Sequence, residues 1–139
     1  MSHIAKIELQ IKDLDTLRAA CEQMSLQFMP DQRFYKWYGR AVADYPIPEG
    51  FSAADMGKCD HAIRVPGASY EIGVVHRNGN YLLLWDFYSE GGLERVLGKG
   101  AGRLKQAYSV ERVRREAKLK GYHVQERKTE QGIRMVLTK

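Results

Sequence analysis

The sequence has few cysteines, few prolines and no long apolar run. Only two cysteines, Cys21 and Cys59, occur among 139 residues, too few for the disulfide framework of a small secreted domain. The longest apolar runs, such as residues 82–85, are far too short to cross a bilayer. The first ten residues carry charges where a signal peptide needs a continuous apolar core. We therefore expect a cytoplasmic protein that does not associate with membranes.

The composition is close to the globular average, with 44% hydrophobic and 28% charged residues. Such a chain has enough apolar surface to fold on its own, unlike a disordered segment. A length of 139 residues is close to the commonest size of one domain. We predict a single domain over residues 1–139, with a long loop at about residues 39–60, where prolines and glycines occur without a sustained period.

Alternation and turn residues predict the strands. Residues 5–11 alternate strictly between apolar and polar side chains, which is typical of a half-buried strand. The aromatic-rich residues 28–40 favour a second strand. Asn78 and Gly79 lie between two β patterns, and this pair is the strongest short signal for a hairpin. A second break, at residues 131–132, predicts a closing hairpin.

Helical spacing predicts two or three helices. Asp13 offers an N-cap for a first helix that ends near Ser25. An apolar stripe over residues 93–108 and a second piece over residues 110–120, which ends before Gly121, complete the helical part. This order predicts an α+β fold: a mostly antiparallel sheet of five or six strands, with two or three helices packed on one face.

The positive charge is concentrated in one stretch. The formal net charge is +5, and residues 99–120 hold eight basic residues against Glu111 and Glu116. Such a concentration is typical of a protein with an acidic partner, although a charged helix face is often simply solvated. We expect a non-enzymatic binding or accessory protein whose partner is a nucleic acid or an acidic protein. The candidate anion- or nucleic-acid-binding residues are Lys99, Arg103, Arg112, Arg114, Arg115 and Lys118.

Aromatic and basic residues are mixed from Arg33 to Arg40. Surfaces that bind single-stranded nucleic acid combine rings that stack on bases with cations that meet phosphates. Since alternation along a strand turns half of the rings inward, we expect Phe34 or Trp37 in the core. Tyr35 and Trp37 are the candidate stacking residues.

A small enzyme is an alternative, and it has two candidate sites. Cys59 and His61 would share one side of a strand, and a thiol beside an imidazole is a common nucleophile and base pair. The glycines from Gly91 to Gly102 suggest a phosphate loop near Lys99, but neither glycine motif of nucleotide-binding proteins is present. We favour a structural role at both places and predict no metal site and no cofactor.

Self-assembly is a second alternative. If the closing hairpin lies at the edge of a sheet, its unpaired backbone groups would be available to a second copy of the chain. In that case the protein would be a homo-oligomeric structural or assembly protein.

Three stretches resemble the domain of unknown function 1257 family, whose members are small proteins of bacteria, phages, cyanobacteria and some plastids. These stretches are MSHIAKIELQIKDLDTLRAAC at the start, CDHAIRVPGASYEIGVV with YLLLWDFY in the middle, and RLKQAYSVERVRREAKLKGYHVQERKTEQGIRMVL at the end. The resemblance spans most of the chain and lies in pattern, length and order. It implies a small α+β domain from a bacterial or phage source, and it implies no activity, cofactor or catalytic residue.

Overall fold

The computed structural model describes residues 3–39 and 46–138. The strands are β1 (Ile4–Lys6), β2 (Gln27–Met29), β3 (His61–Arg64), β4 (Glu71–Arg77), β5 (Asn80–Asp86), β6 (His123–Thr129) and β7 (Gly132–Thr138). The helices are α1 (Leu14–Gln23), α2 (Leu93–Leu97) and α3 (Gly102–Leu119). Short 3₁₀ turns cover Ala53–Asp55, Ser89–Gly91 and Lys99–Ala101. None of the helices in these ranges combines the length and the apolar composition that a bilayer span requires.

A five-stranded antiparallel sheet forms the centre of the fold. Its strand order is β1-β5-β4-β3-β2. The predicted hairpin of β4 and β5 is confirmed, with Arg77 opposite Asn80. Asn78 and Gly79 between them have φ values of 51° and 79°, as the two central residues of a type I′ turn require.

The three helices lie on one face of this sheet, which we call the helix face. Ile63, Leu83, Leu17 and Leu104 are completely buried between the strands, α1 and α3. Helices as short as α1 are marginal in isolation, so this apolar contact is what stabilises them. The α+β fold class, with the helices on one face, is therefore confirmed.

The other face of the sheet is covered by the described residues from 30 to 60, which we call the outer layer. Consecutive strand residues point to opposite faces, and the neighbours of the helix-face residues, Ala62, Val75 and Leu84, pack with Tyr35 and Cys59 of the outer layer. Part of the predicted long loop is thus a second packed layer. Residues 40–45 of that loop lie outside the described residues.

Two buried carboxylates of the sheet hold the outer layer. Glu71 accepts a hydrogen bond from the Lys36 N–H at 3.0 Å, and Asp86 accepts one from the Tyr38 N–H at 3.1 Å. Gly73 leaves room for the Tyr35 ring of the outer layer, since a Cβ on this residue would lie 2.4 Å from that ring. These carboxylates thus satisfy two backbone N–H groups of the outer layer where it forms no regular strand.

The prediction of a strand over residues 28–40 is wrong for most of that range. Strand β2 ends at Met29, because Pro30 has no N–H to continue the ladder and Asp31 turns the chain with a φ of 61°. The predicted first strand is also shortened. The ladder after β1 is interrupted where the Leu9 N–H bonds the Ile7 carbonyl at 2.7 Å.

The predicted division of the late helices is misplaced. The break occurs between Leu97 and Gly102 instead of near residue 109, and α3 continues unbroken to Leu119. Gly98, with a φ of 84°, and Gly100, with a φ of 61°, leave the helical region. The glycines thus end one helix and begin the next.

The predicted closing hairpin is confirmed, with β6 and β7 paired from His123 opposite Thr138 to Thr129 opposite Gly132. It forms a two-stranded sheet of its own beside α3 instead of joining the central sheet. A Cβ on Gly132 would lie 2.4 Å from Gln106 of α3, so the strand and the helix are in close contact.

Candidate anion-binding surface

Charge is distributed unevenly between two parts of the molecule. Residues 99–138, which comprise α3, the hairpin and the turn before α3, contain eleven basic and four acidic residues. We call this part the C-terminal unit. Residues 1–98 contain ten basic and thirteen acidic residues. The cationic end predicted for residues 99–120 therefore extends through the hairpin.

Arg114 is engaged inside the C-terminal unit. Its guanidinium group donates to both carboxylate oxygens of Glu126 on β6, at 3.0 and 2.8 Å, and it also bonds Glu111 of its own helix. The hydrogen bonds from Arg114 to Glu126 raise the pKa of Arg114 above its usual value. This residue fastens the hairpin to α3, so it is not available as the anion-binding residue that the sequence predicts.

The other predicted cations have no carboxylate partner. Arg103 donates to the Val96 carbonyl at 2.9 Å and Arg115 to the Asp15 carbonyl at 3.3 Å, and a carbonyl does not neutralise a guanidinium charge. Within residues 3–39 and 46–138, no carboxylate forms a salt bridge with Lys99, Arg112 or Lys118. These five residues therefore form no salt bridge within the described ranges, although the hydrogen bond from Thr16 and, in addition, the charge of Arg115 lower the pKa of Asp13.

The cations of α3 are not gathered on one face. Arg112 and Arg115, three residues apart, line a groove of about 270 Å³ between α3 and the start of α1, together with Lys12 and the carboxylates of Asp13 and Glu116. Arg114 lies on the side toward the hairpin, and Lys118, four residues later, follows it on that side. The positive charge surrounds the helix instead of forming a single stripe.

The hairpin contributes two arginines that the sequence reasoning missed. Arg127 and Arg134 lie directly opposite each other, and both are exposed. Alternation along β6 places them on the face opposite to Glu126, which bonds Arg114 of α3. They line a groove of about 440 Å³ with Gln125 and Val136. The predicted turn at residues 131–132 would set Arg127 opposite Val136. The observed turn lies one residue earlier, at residues 130–131, and sets Arg127 opposite Arg134. Correct placement of the turn would therefore have revealed this pair.

The glycine segment does not form an open phosphate loop. The Gly100 N–H, which an anion would use, donates instead to the Glu94 carboxylate at 3.1 Å. Gly91 serves packing, since a Cβ there would lie 2.0 Å from the Tyr70 ring. These contacts agree with the structural interpretation of the segment.

The predicted stacking residues do not offer free rings. Tyr35 is only 3% exposed, and Trp37 is half-buried against Gly57, where a Cβ would lie 2.3 Å from the indole nitrogen. The ring that points outward is that of Phe34, which is 66% exposed. Phe34 and Tyr35 thus have the opposite orientation to the expected one, because the outer layer is not a strand, whereas Trp37 packs against the core as one of the two expected residues. The outer layer also covers the face away from α3, so the two candidate surfaces are separate.

Cys59 and His61 do not form a catalytic pair. The Cys59 thiol donates to the Gln32 carbonyl at 3.1 Å in the outer layer, and burial raises the pKa of this thiol to about 12. The His61 ring packs on Phe28 and accepts from the Asp31 N–H through Nδ1. The two groups thus lie on opposite faces of the sheet. No cluster of three or more potential metal ligands occurs within the described ranges.

Comparisons with protein-family models, with curated proteins and with solved structures find no match for this chain. The family resemblance therefore stays a prediction, and the function has to be inferred from the surface itself.

Proposed function

We propose that this protein is a non-enzymatic binding protein whose C-terminal unit holds a nucleic acid through its phosphates. The observation that carries the proposal is the uncompensated charge of this unit. Of its eleven basic residues, only Arg114 and Lys120 form salt bridges within the described part of the chain. The other nine positive charges occupy one end of a molecule whose remainder is acidic.

The distribution of these charges favours a nucleic acid over an acidic protein. An 18-residue helix such as α3 is roughly 27 Å long, and double-stranded DNA carries one negative charge for about every 1.7 Å of its axis. Cations spread along α3 and the hairpin can therefore meet several phosphates at once. A protein partner usually needs an apolar centre with charges at its rim. The large apolar side chains that the described part of this unit exposes are Leu119 on α3 and Val136 and Leu137 on β7, three against nine cations that form no salt bridge.

Salt-dependent binding tests the proposal directly. We expect short labelled single- or double-stranded DNA or RNA to bind at low salt, with an affinity that falls linearly on a log–log plot as salt is added, because bound cations release counterions from the phosphates. Fluorescence anisotropy measures this affinity. If no nucleic acid binds at low salt while an acidic protein does, the partner has been assigned wrongly.

A pair of matched variants locates the surface. Arg112→Gln with Lys118→Gln removes two exposed charges from α3, and Lys36→Gln with Lys58→Gln removes two exposed charges from the outer layer. The α3 pair should weaken binding to all nucleotide sequences alike and reduce the salt slope by about two. The outer-layer pair should leave both quantities nearly unchanged. The reverse result would move the binding surface to the side of Phe34.

Self-assembly is a second candidate, and the isolation of the hairpin favours it. Strands β6 and β7 pair only with each other in the described part of the chain, and Val136 and Leu137 are 40% and 44% exposed. A second copy that pairs along one of these edges would form a four-stranded sheet. Size-exclusion chromatography with light scattering measures the mass. A monomer over the whole concentration range excludes this candidate.

A further inference from the structure

The opposition of Arg127 and Arg134 is unusual for a sheet. Residues directly opposite each other in an antiparallel pair have Cβ atoms about 4.5–5.5 Å apart, and like charges at such positions destabilise the pair. The register of β6 and β7 places these two arginines at such a position. The two arginine side chains therefore leave the hairpin from neighbouring backbone positions on the same face.

The surroundings of the two arginines do not neutralise them. Glu126 borders the same groove, but its carboxylate is bonded to Arg114 on the side toward α3. The remaining outward positions nearby hold Gln125 and Val136, which are uncharged. The groove of about 440 Å³ thus has two positive charges at its wall and no carboxylate in a salt bridge with either of them among the described residues. Glu130, in the turn of the hairpin, borders a separate cavity beside Arg134.

We infer that Arg127 and Arg134 form a phosphate clamp, in which both guanidinium groups bind one phosphodiester of a nucleic acid strand laid across the outward face of the hairpin. Planar guanidinium groups match phosphate oxygens in bidentate geometry. An anion bound between the two groups attracts both and so offsets their mutual repulsion. This inference rests on the proposed function, because it identifies where the phosphate backbone is held. Inorganic phosphate presents the same chemistry and serves as a separate probe.

Thermal unfolding tests the clamp without nucleic acid. Inorganic phosphate should raise the Tm above the value in sodium chloride of equal ionic strength, because a ligand that binds only the folded state stabilises it. Arg127→Thr and Arg134→Thr should lose this rise. Each should also unfold in chloride at a temperature no lower than that of the unaltered protein, since the like-charge opposition is gone. Lys128→Thr is the matched control, because it removes a charge from the same strand on the opposite face, and it should keep the rise.

Oligonucleotide binding separates the clamp from the proposed function. We expect Arg127→Thr and Arg134→Thr each to weaken binding roughly tenfold, and Lys128→Thr to weaken it much less. If the α3 variants lose binding while the two clamp variants bind normally, the clamp is overturned and the proposed function stands. If no oligonucleotide binds but the phosphate-specific rise in Tm depends on both arginines, the anion site is supported and the nucleic-acid partner is overturned. If the rise is equal in all variants, it is a general salt effect and the clamp is overturned.

Discussion

At the scale of single residues, Asp86 shows how a buried charge is made tolerable. Its side chain is completely buried, and its carboxylate accepts hydrogen bonds from the backbone N–H groups of His3, Tyr38 and Tyr88 at 2.9, 3.1 and 3.1 Å. One side chain thus fastens the N-terminal segment and the outer layer to the end of β5. Hydrogen bonds to a carboxylate are stronger than neutral ones, so the three donors stabilise the charge without a cation.

Asp86→Asn should lower the free energy of unfolding by about 1–3 kcal/mol. The amide group of asparagine presents N–H donors where the site supplies only N–H donors, so at least one buried group loses its partner. Urea denaturation measures the effect. Asp31→Asn, at a carboxylate whose side chain is 77% exposed, is the control and should be nearly neutral. Equal effects of the two substitutions would contradict this account of Asp86.

The two buried thiols give the protein a dependence on alkaline pH. Burial raises the pKa of Cys21 from 9.0 to about 12, and burial also raises that of Cys59 from 9.0 to about 12. The folded state therefore binds these protons more tightly than the unfolded state does. The resulting stabilisation is complete below pH 9 and is lost as the pH rises from 9 toward 12. Urea denaturation between pH 9 and 12 measures the free energy of unfolding. We expect this free energy to fall less steeply with pH in Cys21→Ala than in the unaltered protein. An identical slope in the two proteins would show that the Cys21 thiol does not contribute.

At the scale of elements, the attachment of the hairpin to α3 depends on Arg114. Glu111, whose side chain is 10% exposed, and Glu126, at 30%, both bond this guanidinium group. A two-stranded hairpin is at best marginally stable in isolation, so these contacts and the packing on α3 keep β6 and β7 in place. The clamp that we infer needs this attachment, because the arginines on the outward face have a fixed position only while the inward face is held.

Arg114→Met should destabilise the protein more than Glu126→Gln does. The first change leaves the nearly buried carboxylate of Glu111 without its cation, which is costly, whereas the second leaves Arg114 with Glu111. We expect Glu126→Gln to cost less than about 1 kcal/mol, because this pair is partly exposed to solvent. Glu116→Gln, which breaks the exposed pair with Lys120, is the control and should have little effect. Urea denaturation gives the free energies, and hydrogen exchange of the β6 and β7 amides shows whether the hairpin is released.

At the scale of the whole molecule, the central sheet separates two kinds of surface. One face carries the helices, of which α3 belongs to the cationic C-terminal unit, while the other carries the outer layer with the exposed ring of Phe34. The net charge of +5 therefore understates the electric field at one end of the protein. Such asymmetry orients an anionic partner during its approach and speeds association at low salt.

Local rules in the sequence determined much of this protein. Asn78 and Gly79 allow the positive φ values of a tight turn, Asp13 caps α1, and apolar spacing marks the faces that are buried, because each depends only on residues close in the chain. The α+β class and the concentration of positive charge follow from such features. The candidate anion-binding residues stay a prediction: five of the six named cations form no salt bridge in the described part of the chain, whereas Arg114 bonds Glu111 and Glu126.

Only the tertiary structure decided the rest. The partners of Arg114, the inward turn of Tyr35 and the separation of Cys59 from His61 depend on groups distant in the sequence, including the buried carboxylates of Glu71 and Asp86. The opposition of Arg127 and Arg134 depends on a hairpin register in which a shift of a single residue changes every partner. Spacing along a chain does not specify such pairings, because they form when separate elements meet and satisfy each other's charges and hydrogen bonds.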